Sequence, residues 1–294
     1  MDAGIIHTSH LTKSYGKARG IVDLDLAVRP GEVFGYIGPN GAGKTTTIRT
    51  LLDFIRPNTG SATVFGLDTH RESLTIRGRV GYLPGELSLY EGMTGREFLR
   101  YMANLRGGVA WSGVEKLAER LAANLAQPIR ILSHGNKQKL GLIQAFMHQP
   151  ELLILDEPTQ GLDPLVQHEF YRLIAEARAA GRTVFLSSHV LPEVERTCDR
   201  VGIIREGVLV AVEDVASLKA KALRRLEIRF AAPPPLAAFE GLPGVRDLRI
   251  ESSSLHSQVA GSLDAMIKAA ARFEVLDVIS TEPSLEEIFL TYYA

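Results

Sequence analysis

Gly38-Pro39-Asn40-Gly41-Ala42-Gly43-Lys44-Thr45-Thr46 stands between an apolar run over 32–37 (Glu-Val-Phe-Gly-Tyr-Ile) and a segment in which Ile48, Leu51, Leu52 and Ile55 recur at helical spacing. The run reads as a buried strand and the segment after it as a helix with one apolar face. Glycines between them let the backbone curl, so that successive N–H groups face a single anion. The helix that follows adds the positive end of its dipole. The spacing from Gly38 to Thr45 is G-x-x-x-x-G-K-[ST], and its strand and helix flanks are the context this pattern requires. Lys44 then supplies a point charge toward β- and γ-phosphates, and Thr45 a hydroxyl for Mg²⁺, which prefers oxygen ligands.

Further along, Leu152-Leu153-Ile154-Leu155 runs directly into Asp156-Glu157. An acid at the carboxyl end of a buried parallel strand lies at the ligand edge of its sheet. Asp156 is placed to hold Mg²⁺, and Glu157 to orient or deprotonate an attacking water. The apolar run 184–186 reads as a second covered strand, with a helix over 165–180 between the two. This alternation predicts a parallel sheet of the α/β class.

Residues 94–126 carry helical periodicity, with capping-box patterns at Thr94-x-x-Glu97 and Ser112-x-x-Glu115. Phe98, Tyr101, Met102 and Leu105 form one stripe, and Val114, Leu117, Leu121 and Leu125 another; both are expected to be core. A helical subdomain over about 86–150 is therefore expected inside a phosphate-binding domain spanning 1–219. Composition shifts near 218–235, where basic residues precede Pro233-Pro234-Pro235, which sets a boundary near 220. The remainder, 220–294, reads as strand, helix, hairpin, helix, strand, helix: a small accessory α+β domain, with ferredoxin-like as the matching arrangement. Its last helix is marked by Ser284-x-x-Glu287 and by Leu285, Ile288, Phe289 and Tyr292 on one face.

The 294 residues are 45% hydrophobic, enough for a sizeable core, and Lys plus Arg (33) balance Asp plus Glu (34). No charge excess points to nucleic acid as a partner. A single cysteine, Cys198, excludes an internal disulfide and fits a reducing compartment. No stretch approaches the ~18 apolar residues of a membrane span, and Met1-Asp2-Ala3-Gly4 does not open a signal peptide. Any membrane span is thus expected on another chain.

Leu132-Ser133-His134-Gly135-Asn136-Lys137-Gln138 lies between the two phosphate-site motifs and resembles the signature element of ATP-binding cassette (ABC) ATPases. Over about residues 4–215 the order of motifs resembles an ABC transporter nucleotide-binding domain, a P-loop NTPase with a mixed sheet core and a helical subdomain. The resemblance implies ATP and Mg²⁺ as ligands and an adenine stacked on Tyr15. It places Ser133 and Gly135 against the γ-phosphate held by the opposite subunit of a homodimer. Gly161-Leu162-Asp163 matches the loop that communicates between the two sites, and His189, after Ser187-Ser188, the switch histidine. Two elements depart from the family pattern. The signature reads Leu-Ser-His-Gly-Asn rather than Leu-Ser-Gly-Gly-Gln, keeping the Ser and second Gly. The loop Gly81-Tyr82-Leu83-Pro84-Gly85-Glu86 lacks the usual metal-contacting Gln; Gly85 falls at its place, and Glu86 is taken as the substitute ligand. Tyr-Leu-Pro-Gly-Glu, Ser-x-Gly-Asn-Lys-Gln-Lys and Ser-Leu-Glu-Glu-Ile-Phe-Leu resemble the ABC-2-type export group, including drug-resistance ATPases. An ATP hydrolase is implied, driving a separate integral membrane permease from the cytoplasmic face. Importer ATPases and soluble translation or DNA-repair ABC ATPases are the alternatives. The latter carry paired cassettes, coiled coils or Cys-rich metal sites, which this sequence lacks.

Overall fold

A computed structural model describes residues 4–16, 18–221 and 223–281. The chain divides into two compact units, Met1–Val212 and Glu213–Ala294; the sequence reading puts the boundary near 220. The expected helix bearing Leu285, Ile288, Phe289 and Tyr292 lies outside the described residues.

The first unit opens with strands β1 (Ile6–Tyr15), β2 (Ala18–Leu24), β3 (Ala27–Val28) and β4 (Val33–Ile37). Helix α1 (Lys44–Leu51), β5 (Thr59–Val64), β6 (Leu67–Asp68), α2 (Ser73–Arg79) and β7 (Val80–Leu83) follow. Then come α3 (Gly95–Leu105), α4 (Trp111–Arg120), α5 (His134–Phe146), β8 (Leu152–Asp156), α6 (Pro164–Ala179) and β9 (Thr183–Ser188). The succession ends with α7 (Leu191–Thr197), β10 (Arg200–Arg205) and β11 (Val208–Asp214). Two sheets result. One is antiparallel in order β2-β1-β5-β6 with β3 also on β1; the other runs β11-β10-β4-β9-β8-β7, parallel from β10 to β7.

Every residue of β4, β8 and β9 is buried, as strands covered on both faces require. Phe34 and Tyr36 of β4 pack on Phe185 of β9, with ring centroids 5.9 and 5.4 Å apart. The Tyr36 hydroxyl meets Thr47 Oγ1 at 3.2 Å, fixing α1 on the sheet behind the loop that precedes it. The register pairs Asp156 with Ser187, which sets the carboxyl ends of β8 and β9 level.

The helical reading of 94–126 holds in kind but not as one rod. Gly107 and Gly108, at φ 78° and 106°, separate α3 from α4. Thr94 and Glu97 form the expected capping box. Ser112 does not cap: α4 already begins at Trp111, and Glu115 turns to the Trp111 indole (2.9 Å) and to Arg96 (3.1 Å). Tyr101 and Leu105 are exposed, because α3 buries the arc through Phe98, Leu99 and Ala103 instead.

Helix α5 lies directly on β7. A Cβ on Gly81 would stand 2.1 Å from the Ala145 carbonyl oxygen and 2.7 Å from Pro150 Cγ, so this approach requires glycine. Gly81→Ala is expected to destabilise the protein by about 1–3 kcal/mol, the usual cost of overpacking. Urea unfolding measures it; an unchanged midpoint would mean that helix and strand are not held this closely.

In the second unit, α8 (Val215–Lys221) leads into β12 (Arg224–Phe230), β13 (Val245–Glu251), β14 (Ser254–Val259), α9 (Asp264–Ala270) and β15 (Val275–Thr281). Its antiparallel sheet has the order β13-β14-β12-β15, that of a split βαβ motif. Where the sequence reading has a first helix, only the 3₁₀ turn Leu236–Ala238 forms; Pro233-Pro234-Pro235 before it and positive-φ Gly241 and Gly244 after it leave no room for more. Met266, Ala269 and Ala270 of α9 join Leu226, Ile228, Phe230 and Phe239 in a separate core.

Candidate functional site

The loop 38–43 leaves β4 and enters α1 through Gly43, whose φ of 112° is open to glycine but strained for other residues. No side chain caps α1, so its first-turn N–H groups are free to receive an anion. The loop is pinned from outside: Gly207 N–H donates to the Ala42 carbonyl at 2.9 Å, and Val22 N–H to the Gly207 carbonyl at 2.8 Å. Pro39, Asn40 and Gly41 form the exposed lip, and Thr46 is half-buried.

Lys44 is buried, and its Nζ donates to the Gly38 carbonyl at 2.7 Å and to the Pro39 carbonyl at 3.4 Å. It also stands 3.2 Å from Glu157 Oε1. The other Glu157 oxygen, Oε2, meets His189 Nδ1 at 2.8 Å. Glu157 therefore bridges the phosphate loop and the histidine, although 113 and 32 residues separate it from these partners in sequence (157 − 44; 189 − 157). Its backbone leaves β8 at φ 51°, a strained conformation for a residue other than glycine. The strain is held by its N–H, which donates to the Ser187 carbonyl at 3.1 Å, and by Gln138 Nε2, which donates to its carbonyl at 3.3 Å.

Asp156 is fully buried. It accepts hydrogen bonds from Thr45 Oγ1 at 2.8 Å and from Ser187 Oγ. Among the described residues no Lys, Arg or His forms an ion pair with it. A buried carboxylate held only by neutral hydroxyls leaves its charge uncompensated, which is costly unless a cation binds there. The donor set, a hydroxyl and a carboxylate, fits a hard divalent ion such as Mg²⁺. Its field also reaches Tyr82, where burial, together with the Asp156 charge, pushes the phenol up to about 12.

Three predicted residues lie apart from this cluster. Ser133 is exposed and caps α5, its Oγ accepting from Asn136 N–H at 3.3 Å. Gly135 faces the Gly161 carbonyl, which a Cβ there would approach to 2.3 Å. Asp163 caps α6 by accepting from Val166 N–H at 3.0 Å. Among the described residues no hydrogen bond or ion pair joins Ser133, Gly135 or Asp163 to the 38–46 loop. Tyr15 is 45% exposed at the end of β1. It adjoins Gly20, whose carbonyl oxygen in turn lies 3.0 Å from where a Gly43 Cβ would stand.

At the substituted loop, an added Cβ on Gly85 would lie 3.2 Å from Asp156 Oδ2. Position 85 is thus the one that faces the carboxylate, while Glu86 is exposed beside it. Cys198 is buried, and burial pushes its thiol up to about 12, in keeping with a packing role.

Sequence reasoning gave no site role to Gln138, Thr159, Ser187, Ser188 or Glu193. Gln138 ties the signature helix to the Glu157 and Pro158 carbonyls, and Ser187 holds Asp156. These are contacts between segments 19 to 31 residues apart, which no local pattern announces.

A family model described as "ABC transporter" matches residues 21–160. The bacitracin transport ATP-binding protein BcrA of Bacillus licheniformis is 34% identical over 97% of this chain and 96% of its own length. The linearmycin resistance ATP-binding protein LnrL of Bacillus subtilis (strain 168) is 31% identical over 97% of each. A solved ATP-binding subunit of an ABC transporter, 31% identical, superposes with a TM-score of 0.67 over 73% of this chain and 92% of that one. With an end-to-end relative above 30% identity and a phosphate loop, acid pair and histidine converging as described, this chain belongs to the ABC transporter family, as an ATP-binding and ATP-hydrolysing subunit.

Proposed function

We propose that the chain drives export through a separate integral membrane permease, acting as one half of a homodimeric ATPase at the cytoplasmic face of the membrane. The convergence of Lys44, Glu157, His189, Thr45 and Asp156 at the carboxyl edge of one parallel sheet supports the ATPase part of this reading, and the likeness to the bacitracin transport and linearmycin resistance proteins supports the export part. The backbone of 38–46 would hold the ATP phosphates, with Lys44 turned to the β- and γ-oxygens and Tyr15 against the adenine. Thr45 and Asp156 would hold Mg²⁺; Gly85 and not Glu86 faces Asp156, so Glu86 would serve as a further oxygen ligand only if its turn swung toward the ion. The ion supplies charge neutralisation across the phosphate oxygens.

Glu157 orients the attacking water and takes its proton. His189, bonded to Glu157, fixes the direction of that carboxylate and reaches toward the γ-phosphate. Ser133 and Gly135, exposed or half-exposed and unattached to their own loop, support a role at the nucleotide of a second copy. Asp163, by capping α6, fixes the Gly161 turn on which Gly135 rests. Closure of two copies over ATP and reopening after phosphate release is the proposed cycle.

The permease contact is proposed on the 85–105 region. Tyr90, Tyr101 and Leu105 are exposed there, and a group of large apolar side chains on a surface favours a partner. No helix among the described residues is long and apolar enough to cross a membrane, in keeping with a separate permease. By likeness to the bacitracin and linearmycin proteins, the proposed cargo is an antibiotic-type compound.

Lys44→Ala tests the nucleotide site. Removing a buried charged donor is expected to weaken ATP binding about tenfold or more. Equilibrium titration with a fluorescent ATP analogue reads the loss. Unchanged affinity would remove Lys44 from the site and, with it, the proposed placement of the phosphates.

A further inference from the structure

Glu193 sits on α7 at 2% exposure, outside the group of residues that face the phosphate loop. Its Oε2 accepts from Ser188 Oγ at 2.9 Å and from Thr159 Oγ1 at 3.0 Å. Ser188 directly precedes His189, and its Oγ also accepts from Val190 N–H at 3.0 Å, so one hydroxyl brackets the histidine on both sides. Thr159 follows Glu157 by two residues and begins the turn toward Gly161, its carbonyl accepting from Leu162 N–H at 3.1 Å. A single carboxylate oxygen thus joins the two segments that carry Glu157 and His189, which themselves meet at 2.8 Å.

The second oxygen, Oε1, is buried with no hydrogen-bond partner. Such a group is expensive, and an apolar side chain would fill the same space more cheaply. A plain packing role therefore does not account for an acid here; the bridge made by Oε2 does. Burial pushes the carboxyl up to about 7. Glu157 and His189 face it from the two loops, Tyr171 from α6 and Cys198 from the end of its own helix. Near neutral pH it is divided between both forms, so an amide of the same shape is a fair replacement.

We propose that Glu193 is a positioning residue for ATP hydrolysis: through Ser188 and Thr159 it fixes the spacing between Glu157 and His189. This rests on the reading of Glu157 and His189 as the hydrolytic pair. The role differs from a purely structural one in what it disturbs. Displacing reacting groups by a fraction of a bond length lowers the rate of the chemical step while leaving the phosphate loop, and so the affinity for ATP, intact.

The test is steady-state hydrolysis by the full-length chain carrying Glu193→Ala, Glu193→Gln or Thr159→Val. Glu193→Ala and Thr159→Val are each expected to lower kcat about tenfold or more while KM for MgATP stays within about twofold. Glu193→Gln keeps a carbonyl oxygen for both hydroxyls and is expected to stay within about threefold of the parent. The double variant Glu193→Ala/Thr159→Val should lose little beyond either single change, because both break one bridge. A folded Glu193→Ala protein with parental kcat would overturn the proposal. So would a Gln variant as impaired as the Ala variant, or a loss confined to KM. Should Glu193→Ala not fold, Thr159→Val decides, and a parental kcat there is equally fatal. Glu157→Gln, measured alongside, separates the premises: normal turnover in that variant removes the hydrolytic pair itself, whereas an inactive Glu157→Gln with unaffected Glu193 variants removes only the bridge.

Discussion

Glu157→Gln is expected to keep ATP bound and lose nearly all turnover. The substitution preserves the length and branching of the side chain, so the backbone at φ 51° and its bonds to Ser187 and Gln138 have no reason to move. A Gln carbonyl oxygen still accepts from Lys44, now 3.2 Å from Glu157 Oε1, so the phosphate loop keeps its internal support. What disappears is the basic oxygen. An amide cannot take a proton from water, and the partnership with His189 Nδ1 loses its charge. General-base catalysis contributes roughly 10²–10⁴-fold, and a loss on that scale is expected in the rate of phosphate release. Because binding survives and the γ-phosphate stays in place, the variant should accumulate as an ATP-bound dimer, read by size-exclusion chromatography in MgATP. Near-normal hydrolysis would show that another group activates the water.

The parts of this site that the sequence announces are those that chemistry forces to be contiguous. A phosphate cradle needs successive backbone N–H groups, so Gly38 to Thr46 must be one stretch, and its spacing is readable. An acid at a sheet edge must follow its buried strand, so Asp156 and Glu157 are marked by Leu152 to Leu155. Glu193, Gln138 and Ser187 are different. Each acts through one bond to a distant segment, and nothing near Glu193 in sequence shows that its oxygen meets Thr159, 34 residues away. The same limit explains the errors in the helical region. Apolar spacing fixes an arc of a helix but not which part of it is covered, so Tyr101 and Leu105 read as core although only the neighbouring arc is buried. A capping pattern at Ser112 competes with the bonds Glu115 makes to the Trp111 indole one turn back in the same helix and to Arg96 of α3, and those bonds prevail. In the second unit the succession of elements suggests the ferredoxin-like arrangement, but the individual pairings, such as Arg225 with both Gln258 and Thr281, join segments far apart in the chain and no local pattern shows them.

Ser133→Arg is expected to leave ATP binding by the single subunit intact and to prevent its closure into a dimer. Ser133 is exposed at the start of α5, so a larger side chain meets no core and the fold should tolerate it. The lost hydrogen bond to Asn136 N–H removes a helix cap, at a cost of about 1 kcal/mol, too little to explain a complete loss of association. Nor does the change touch Lys44, Thr45 or Asp156 within the same copy. Its consequence should appear only where Ser133 is proposed to act, against the nucleotide of a second copy, where the arginine would occupy space meant for a phosphate. Mixing Ser133→Arg with Lys44→Ala sharpens the test. If the signature acts across the interface, the mixed dimer has one composite site with both defects and one with neither, and partial hydrolysis returns although each variant alone is inactive. If the signature served its own subunit's loop, every site in the mixture would carry a defect and nothing would return. Normal ATP-driven dimerisation of Ser133→Arg alone would sink the shared-site arrangement, and the separation of Ser133 from its own phosphate loop would then need a different explanation.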